Sequence, residues 1–288
     1  MSSLTEQYRQ QGYAYLPKAL TAESLQSLEH EYADLSARAT RLLKAANAGE
    51  LDLAAYYRTC TGEPIVVPEA ANPCQICRME YLTGCSEYVR TRLIVHLAGL
   101  IGAMIEQPVV IFKDKCNVKH PNGGSFPPHQ DIVAYRHFAG RYHVTAALML
   151  DAATIENGCL ELAPDYCGIS PSAPTLETPL GPLPILPCYT GGARNGDIVT
   201  ELAEQLVWKP VEASAGDMIL FDSFIPHCSA LNRSTGSRRV MFFTFNLASD
   251  GDHYETYYRA KRETPDHPIF HISTPTLHSL RDESARVC

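Results

Sequence analysis

Pro127-Pro128-His129-Gln130-Asp131 reads as the end of a strand, and alternate residues of an extended chain face the same side. The His129 imidazole and the Asp131 carboxylate can therefore converge on one ion. About a hundred residues later, Gly216-Asp217 opens a second strand, Asp217 to Phe221, which leads to another imidazole at His227. Two histidines and one carboxylate on a single face suit Fe(II), and leave three neighbouring positions for a co-substrate and O2. A bare His-x-Asp is a weak motif, because a surface pair or a hydrogen-bonded core histidine reads the same way.

The surroundings of His227 add weight. Arg238 lies on the strand after it, which continues as the apolar run Val240 to Phe243, and a buried guanidinium is costly unless it meets an anion. Its planar fork matches a carboxylate, and Ser229, two residues beyond His227, can offer a hydroxyl to the same group. A salt bridge to a buried Asp or Glu is the competing reading for Arg238, whereas Arg239 is expected to face outward. Asp217 and Asp222 read as turn residues or as hydrogen-bond supports behind the ligands.

Lys113, Lys115, Asn117 and Lys119 share one face of another predicted strand. Facing water, they form a charged edge. Facing inward, they need anions.

These residues need elements to hold them. The first hundred residues read as mainly helical: Thr21 is a candidate N-cap for a helix bearing Leu25, Leu28, Tyr32 and Leu35, and Glu87 to Ile105 forms another. Gly62 to Pro73 reads as irregular. From Val109 the texture changes to short β runs: 109–119, 143–150, 158–162, 206–210, 217–221 and 239–247. Between them, Gly168 to Asn195 reads as one long loop, and Tyr254 to Arg262 as a last helix before a polar tail. Helices followed by many short strands predict an α+β fold around a jelly roll, with the N-terminal helices packed on one sheet. We expect one domain over 1–288: mainly helical support in 1–108, the jelly-roll core in 109–247, and a C-terminal helix and tail in 248–288.

Composition sets limits. The 288 residues are 45% hydrophobic and 19% charged, with a net charge of −8, which disfavours nucleic acid as a partner. No apolar stretch approaches the length of a membrane span, and Met1 to Tyr15 lacks a secretory apolar segment, so a cytoplasmic location is the expectation. The ten cysteines are then expected to be reduced thiols; Cys74-Gln-Ile-Cys77 with Cys85 offers three zinc ligands and lacks a fourth.

Together, His129-x-Asp131, the segment Glu156-Asn157-Gly158-Cys159-Leu160-Glu161-Leu162-Ala163-Pro164, and the stretch from Gly216-Asp217 to Asn232-Arg233-Ser234 resemble the phytanoyl-CoA dioxygenase superfamily. Tyr8 to Leu20 is similar to that family's first helix and strand. The resemblance implies a double-stranded β-helix, Fe(II) on His129, Asp131 and His227, and 2-oxoglutarate with its far carboxylate on Arg238 and Ser229. Likeness to ectoine-hydroxylase-like members places Asn117 and Phe126 beside the co-substrate, and Lys113, Tyr135 and Phe242 toward the substrate. Asp131 is intact, unlike in the superfamily's halogenases. Pro164-Asp165-Tyr166-Cys167 departs from the Pro-Gly-Ser-His common in the family, which puts transferred substrate habits in doubt.

The implied activity is hydroxylation of an unactivated C–H on a small anionic or zwitterionic molecule, such as an aminoalkylphosphonate or an amino-acid derivative. A larger natural-product scaffold is the alternative within the class. Outside it stand a cupin-like metal protein or isomerase without 2-oxoglutarate, and a noncatalytic jelly-roll module. Small molecules are the expected partners.

Overall fold

The computed structural model describes residues 4–69, 72–138, 140–264 and 286–287. The expected polar tail and Cys288 lie almost wholly outside these residues, as do Met1 to Ser3 of the opening segment. In chain order the first half contains α1 (Leu4–Gln11), β1 (Tyr13–Leu16), α2 (Ala22–Asn47), α3 (Leu53–Thr59), β2 (Ile65–Glu69), β3 (Asn72–Glu80), α4 (Leu82–Cys85), a π turn (Val89–Leu93), α5 (Ile94–Ile105) and β4 (Val109–Lys119). Then come β5 (Phe126–His129), α6 (Ile132–Tyr135), β6 (His143–Met149), β7 (Leu160–Leu162), β8 (Thr175–Thr178), β9 (Gly181–Pro184) and β10 (Tyr189–Thr190). The chain continues through α7 (Thr200–Ala203), β11 (Lys209–Val211), β12 (Met218–Asp222), β13 (His227–Ser229), β14 (Arg238–Leu247) and α8 (Tyr254–Glu263).

Two antiparallel sheets enclose the core. The larger runs β1-β12-β6-β14-β4-β3-β2 and the smaller β11-β7-β13-β5. This is the expected α+β arrangement with a double-stranded β-helix core. β6, between β12 and β14 in the middle of the larger sheet, is buried along its whole length. α2 is capped by Thr21, whose Oγ accepts from the Ser24 amide at 3.1 Å. It buries Leu28, Leu35, Ala39 and Leu43, and it packs on β2 and β3. Arg239 points outward, as expected, and binds both Glu29 of α2 (2.7 Å) and Asp151 (2.7 Å).

Two expectations need correction. Gly62 to Pro73 is not irregular: it holds β2 and the start of β3, so residues before 109 supply both edges of the larger sheet. Pro68 is tolerated because β2 is an edge strand, where a missing N–H breaks no ladder. Likewise 168–195 is not a single loop; β8 and β9 pair as a hairpin within it.

A further feature had no sequence signal. Between Thr244 and Phe245 the β14–β4 register slips, leaving Phe112 without a partner in a β-bulge. The bulge turns Phe112 and Lys113 toward one region: the Phe112 ring lies 5.3 Å from that of Tyr135, and Lys113 Nζ sits 4.7 Å above the same ring.

Candidate metal centre

β5 and β13 are hydrogen-bonded neighbours with His129 opposite His227, so the ladder itself brings the two imidazoles together. Their ring centroids are 4.1 Å apart. Asp131 follows β5 at the start of α6; its carboxylate oxygens lie 3.9 Å from His129 Nε2 and 3.9 Å from His227 Nε2. One donor atom from each residue falls within 4.8 Å of the others, and among the described residues no other group of histidine, cysteine and acidic side chains does so.

The tautomers are set by the backbone. His129 Nδ1 lies 2.8 Å from the Pro127 carbonyl and His227 Nδ1 lies 3.0 Å from that of Ile225. Each Nδ1–H donates outward, which leaves both Nε2 lone pairs aimed at the shared point. Burial, together with the facing His227, pushes His129 down to about 3, and burial pushes His227 down as well, so both rings are neutral. Burial alone would raise the Asp131 carboxyl; the facing imidazoles with Lys115 and Lys113 outweigh it and hold it well below the usual carboxylate range. Two neutral imidazoles and a carboxylate are the protonation states a divalent cation requires, so the donor set fits Fe(II).

The intervening Gln130 turns away and is fully buried. Its amide donates to the carbonyls of Pro184 (3.0 Å) and Phe224, and accepts from the Leu186 amide (2.7 Å). It ties the metal-binding corner to two other segments, 184–186 and Phe224. Periodicity marks this position as pointing away, but its partners are long-range and invisible in sequence. Asp217 and Asp222 are turn holders: the first accepts from Tyr15 Oη (2.5 Å) and the amides of Lys18 and Ser214 (both 2.7 Å), the second from the amides of Phe224 and Ile225 (both 2.8 Å).

The cavity beside the triad is lined by Lys115, Asn117, Phe126, Ser229, Arg238 and Phe242, together with His129 and His227. Arg238 is 4% exposed and makes no ion pair among the described residues. Its Nη1 donates to the Gly158 carbonyl, while Nε is buried without a partner. The competing expectation, a structural salt bridge, is thus not met. Asn117 Oδ1 is also buried and unpartnered. Ser229 Oγ accepts from Lys119 Nζ at 2.8 Å. A guanidinium fork with an open edge, an amide and a hydroxyl at the end of this cavity fit a dicarboxylate reaching the ion.

Lys113 and Tyr135 do not line this cavity, whereas Lys115 and Phe242 do. Lys113 Nζ also faces the Tyr257 ring of α8 at 5.4 Å, and Lys115 Nζ lies 5.2 Å from the Phe242 ring. The lysine face therefore points inward. Tyr257, Arg78 and Glu80 join this end of the site without having been singled out in the sequence.

The profile of the phytanoyl-CoA dioxygenase (PhyH) family matches residues 8–240. The chain belongs to this family. Among curated members, the methylphosphonate hydroxylase of Gimesia maris is 30% identical over 91% of this chain and 86% of its own length. The 2-aminoethylphosphonate dioxygenase of an uncultured bacterium is 34% identical, and the match spans 65% of each chain. The fold is shared with EctD from S. alaskensis, solved with 2-oxoglutarate and 5-hydroxyectoine: TM-score 0.59, 20% identity, 87% of this chain and 77% of that one. The PhyH resemblance carried by His129-x-Asp131 and the Gly216–Ser234 stretch thus extends to the whole fold. No helix among the described residues is long and apolar enough to cross a membrane.

Proposed function

We propose that this PhyH-family chain hydroxylates an unactivated C–H bond of a small organophosphonate, consuming 2-oxoglutarate and O2. His129, Asp131 and His227 hold Fe(II); Arg238, with Ser229, Asn117 and Phe126, receives 2-oxoglutarate. Fe(II) with 2-oxoglutarate and O2 supplies the oxidising power when bound. The protein's part is placement: the outward Nδ1–H bonds fix the imidazoles, Arg238 orients the far carboxylate, and Lys113, Tyr135 and Phe242 receive the substrate.

One observation carries the reading: a buried, unpaired guanidinium at the end of the cavity that opens on the triad. A cupin-like isomerase needs no such clamp. The relatives that act on phosphonates and the inward lysines support a small anion over a large neutral scaffold. The test is succinate release by the Fe(II)-loaded protein under air. Methylphosphonate or 2-aminoethylphosphonate should raise it well above the rate with 2-oxoglutarate alone, with a hydroxylated phosphonate formed in equal amount. No stimulation by either would remove the phosphonate reading.

A further inference from the structure

Around Asp131 and the lysines of β4, cations outnumber acids. Lys113 and Lys115 come from β4, Arg78 from β3 and Lys261 from α8, against Glu80, Asp131 and Asp114, the last engaged by the Leu82 and Thr83 amides and the Tyr254 hydroxyl. Glu80 is already taken: Lys261 Nζ lies 2.7 Å from each of its oxygens, and Arg78 Nε lies 2.7 Å from Oε1. Although Glu80 pairs with Lys115 in the strand register, its carboxylate is committed to Lys261. Asp131 faces the two imidazoles. Neither Lys113 nor Lys115 forms an ion pair with any described residue. Their ammonium groups rest on aromatic faces instead, Lys113 between Tyr135 and Tyr257, and Lys115 on Phe242.

Two half-buried ammonium groups, two residues apart on one strand face, form a site for a group carrying two negative charges. A phosphonate can carry two; a carboxylate carries one. The same ledger bears on the rest of the substrate. A substrate ammonium entering here meets no uncommitted carboxylate among the described residues, and the three rings that could stabilise a cation already carry lysines.

Resting on the hydroxylase reading above, we infer that Lys113 and Lys115 form a phosphonate-binding pair, and that the site selects simple alkylphosphonates over aminoalkylphosphonates and carboxylates. This narrows the sequence expectation, which put aminoalkylphosphonates and amino acids first.

The test compares ligands differing in one group. The Fe(II)- and 2-oxoglutarate-loaded protein, kept anaerobic, is titrated calorimetrically with ethylphosphonate, 2-aminoethylphosphonate and propionate, with the visible absorption of the loaded site recorded in parallel. Ethylphosphonate should bind about tenfold or more tightly than either of the others, because the amine adds a like charge and the carboxylate removes a negative one. In Lys115→Gln the affinity for ethylphosphonate should fall about tenfold, and its advantage over 2-aminoethylphosphonate should shrink to about threefold or less. Equal or tighter binding of 2-aminoethylphosphonate by the unmodified protein overturns the inference and leaves the hydroxylase reading standing. A preference unchanged in Lys115→Gln overturns the assignment to the lysine pair. If the visible band forms and none of the three ligands binds, the phosphonate reading falls and the inference with it. Absence of the band itself removes the hydroxylase reading.

Discussion

Arg238 on β14 lies directly across from Lys119 on β4, and both side chains are buried, at 4% and 3% exposure, with no acidic partner among the described residues. Lys119 is held by Ser229 Oγ (2.8 Å) and the Ala230 carbonyl (2.5 Å), and burial with the neighbouring guanidinium pushes it down to about 7. Two adjacent buried cations oppose folding until a dianion arrives.

Ligand binding should therefore stabilise the protein strongly. At 2-oxoglutarate concentrations about a hundredfold above Kd, linkage contributes about 2.7 kcal/mol, a melting shift of about 5 °C or more for a chain of this size. Arg238→Met should abolish the shift, and Arg238→Lys should retain little of it, because an ammonium cannot reproduce the fork. Differential scanning fluorimetry with and without 2-oxoglutarate checks this; an undiminished shift in Arg238→Met would place the co-substrate elsewhere.

Gly158 has φ +73°, and a Cβ there would overlap the Ala230 carbonyl oxygen. Its own carbonyl accepts from Arg238. Gly158→Ala should cost about 2 kcal/mol or more from strain and displacement, and raise the KM for 2-oxoglutarate. Wild-type melting temperature and KM in this variant would show the clamp to be independent of this turn.

How legible was this site? The triad was, because its signals are local: a two-residue spacing on an extended chain, and a Gly-Asp turn leading into a strand that ends near histidine. Arg238 was too, since an arginine in an apolar strand advertises an unmet anion. The tertiary events were not. Pro68 and Pro73 made 62–73 look irregular, and only the sheet edge explains why a strand survives there. The bulge at Phe112, which aims Lys113, leaves no trace in periodicity. The sequence predicts helix α8, but its place over Lys113 depends on Asp114 accepting from Tyr254 Oη (2.9 Å) and on Glu80 binding Lys261, contacts spanning 140 and 181 residues.

Gln130 is a positioning residue. Gln130→Ala removes three bonds to two separate segments and strands the Leu186 amide, a loss of about 2–4 kcal/mol. Because the corner between His129 and Asp131 loosens, Fe(II) affinity should fall about tenfold or more, read by competition with a colorimetric chelator. Gln130→Glu at low pH, where the acid can still donate, should recover part of the affinity. Lost stability with unchanged metal affinity would reduce Gln130 to a purely structural role.

Asp222 is buried, and burial pushes its carboxyl up to about 7 despite two backbone amide donors. Between about pH 4 and 7 the folded state therefore holds a proton that the unfolded state has released. Stability should fall as pH rises through this window, by at most about 1.4 kcal/mol per unit. Asp222→Asn, which cannot ionise, should be less stable-sensitive across the same range and overtake the wild type near neutral pH. Parallel melting curves at pH 5 and pH 7.5 measure this; identical slopes for the two proteins would show that Asp222 is ionised throughout.

The most direct measurement is anaerobic absorption spectroscopy of the purified chain. Addition of Fe(II) and 2-oxoglutarate to the wild type should produce the weak visible charge-transfer band of a chelated 2-oxo acid, and the same addition to His227→Ala should produce none. A wild type that stays colourless, or a His227→Ala protein with an undiminished band, would contradict the assignment of His129, Asp131 and His227 as one iron site.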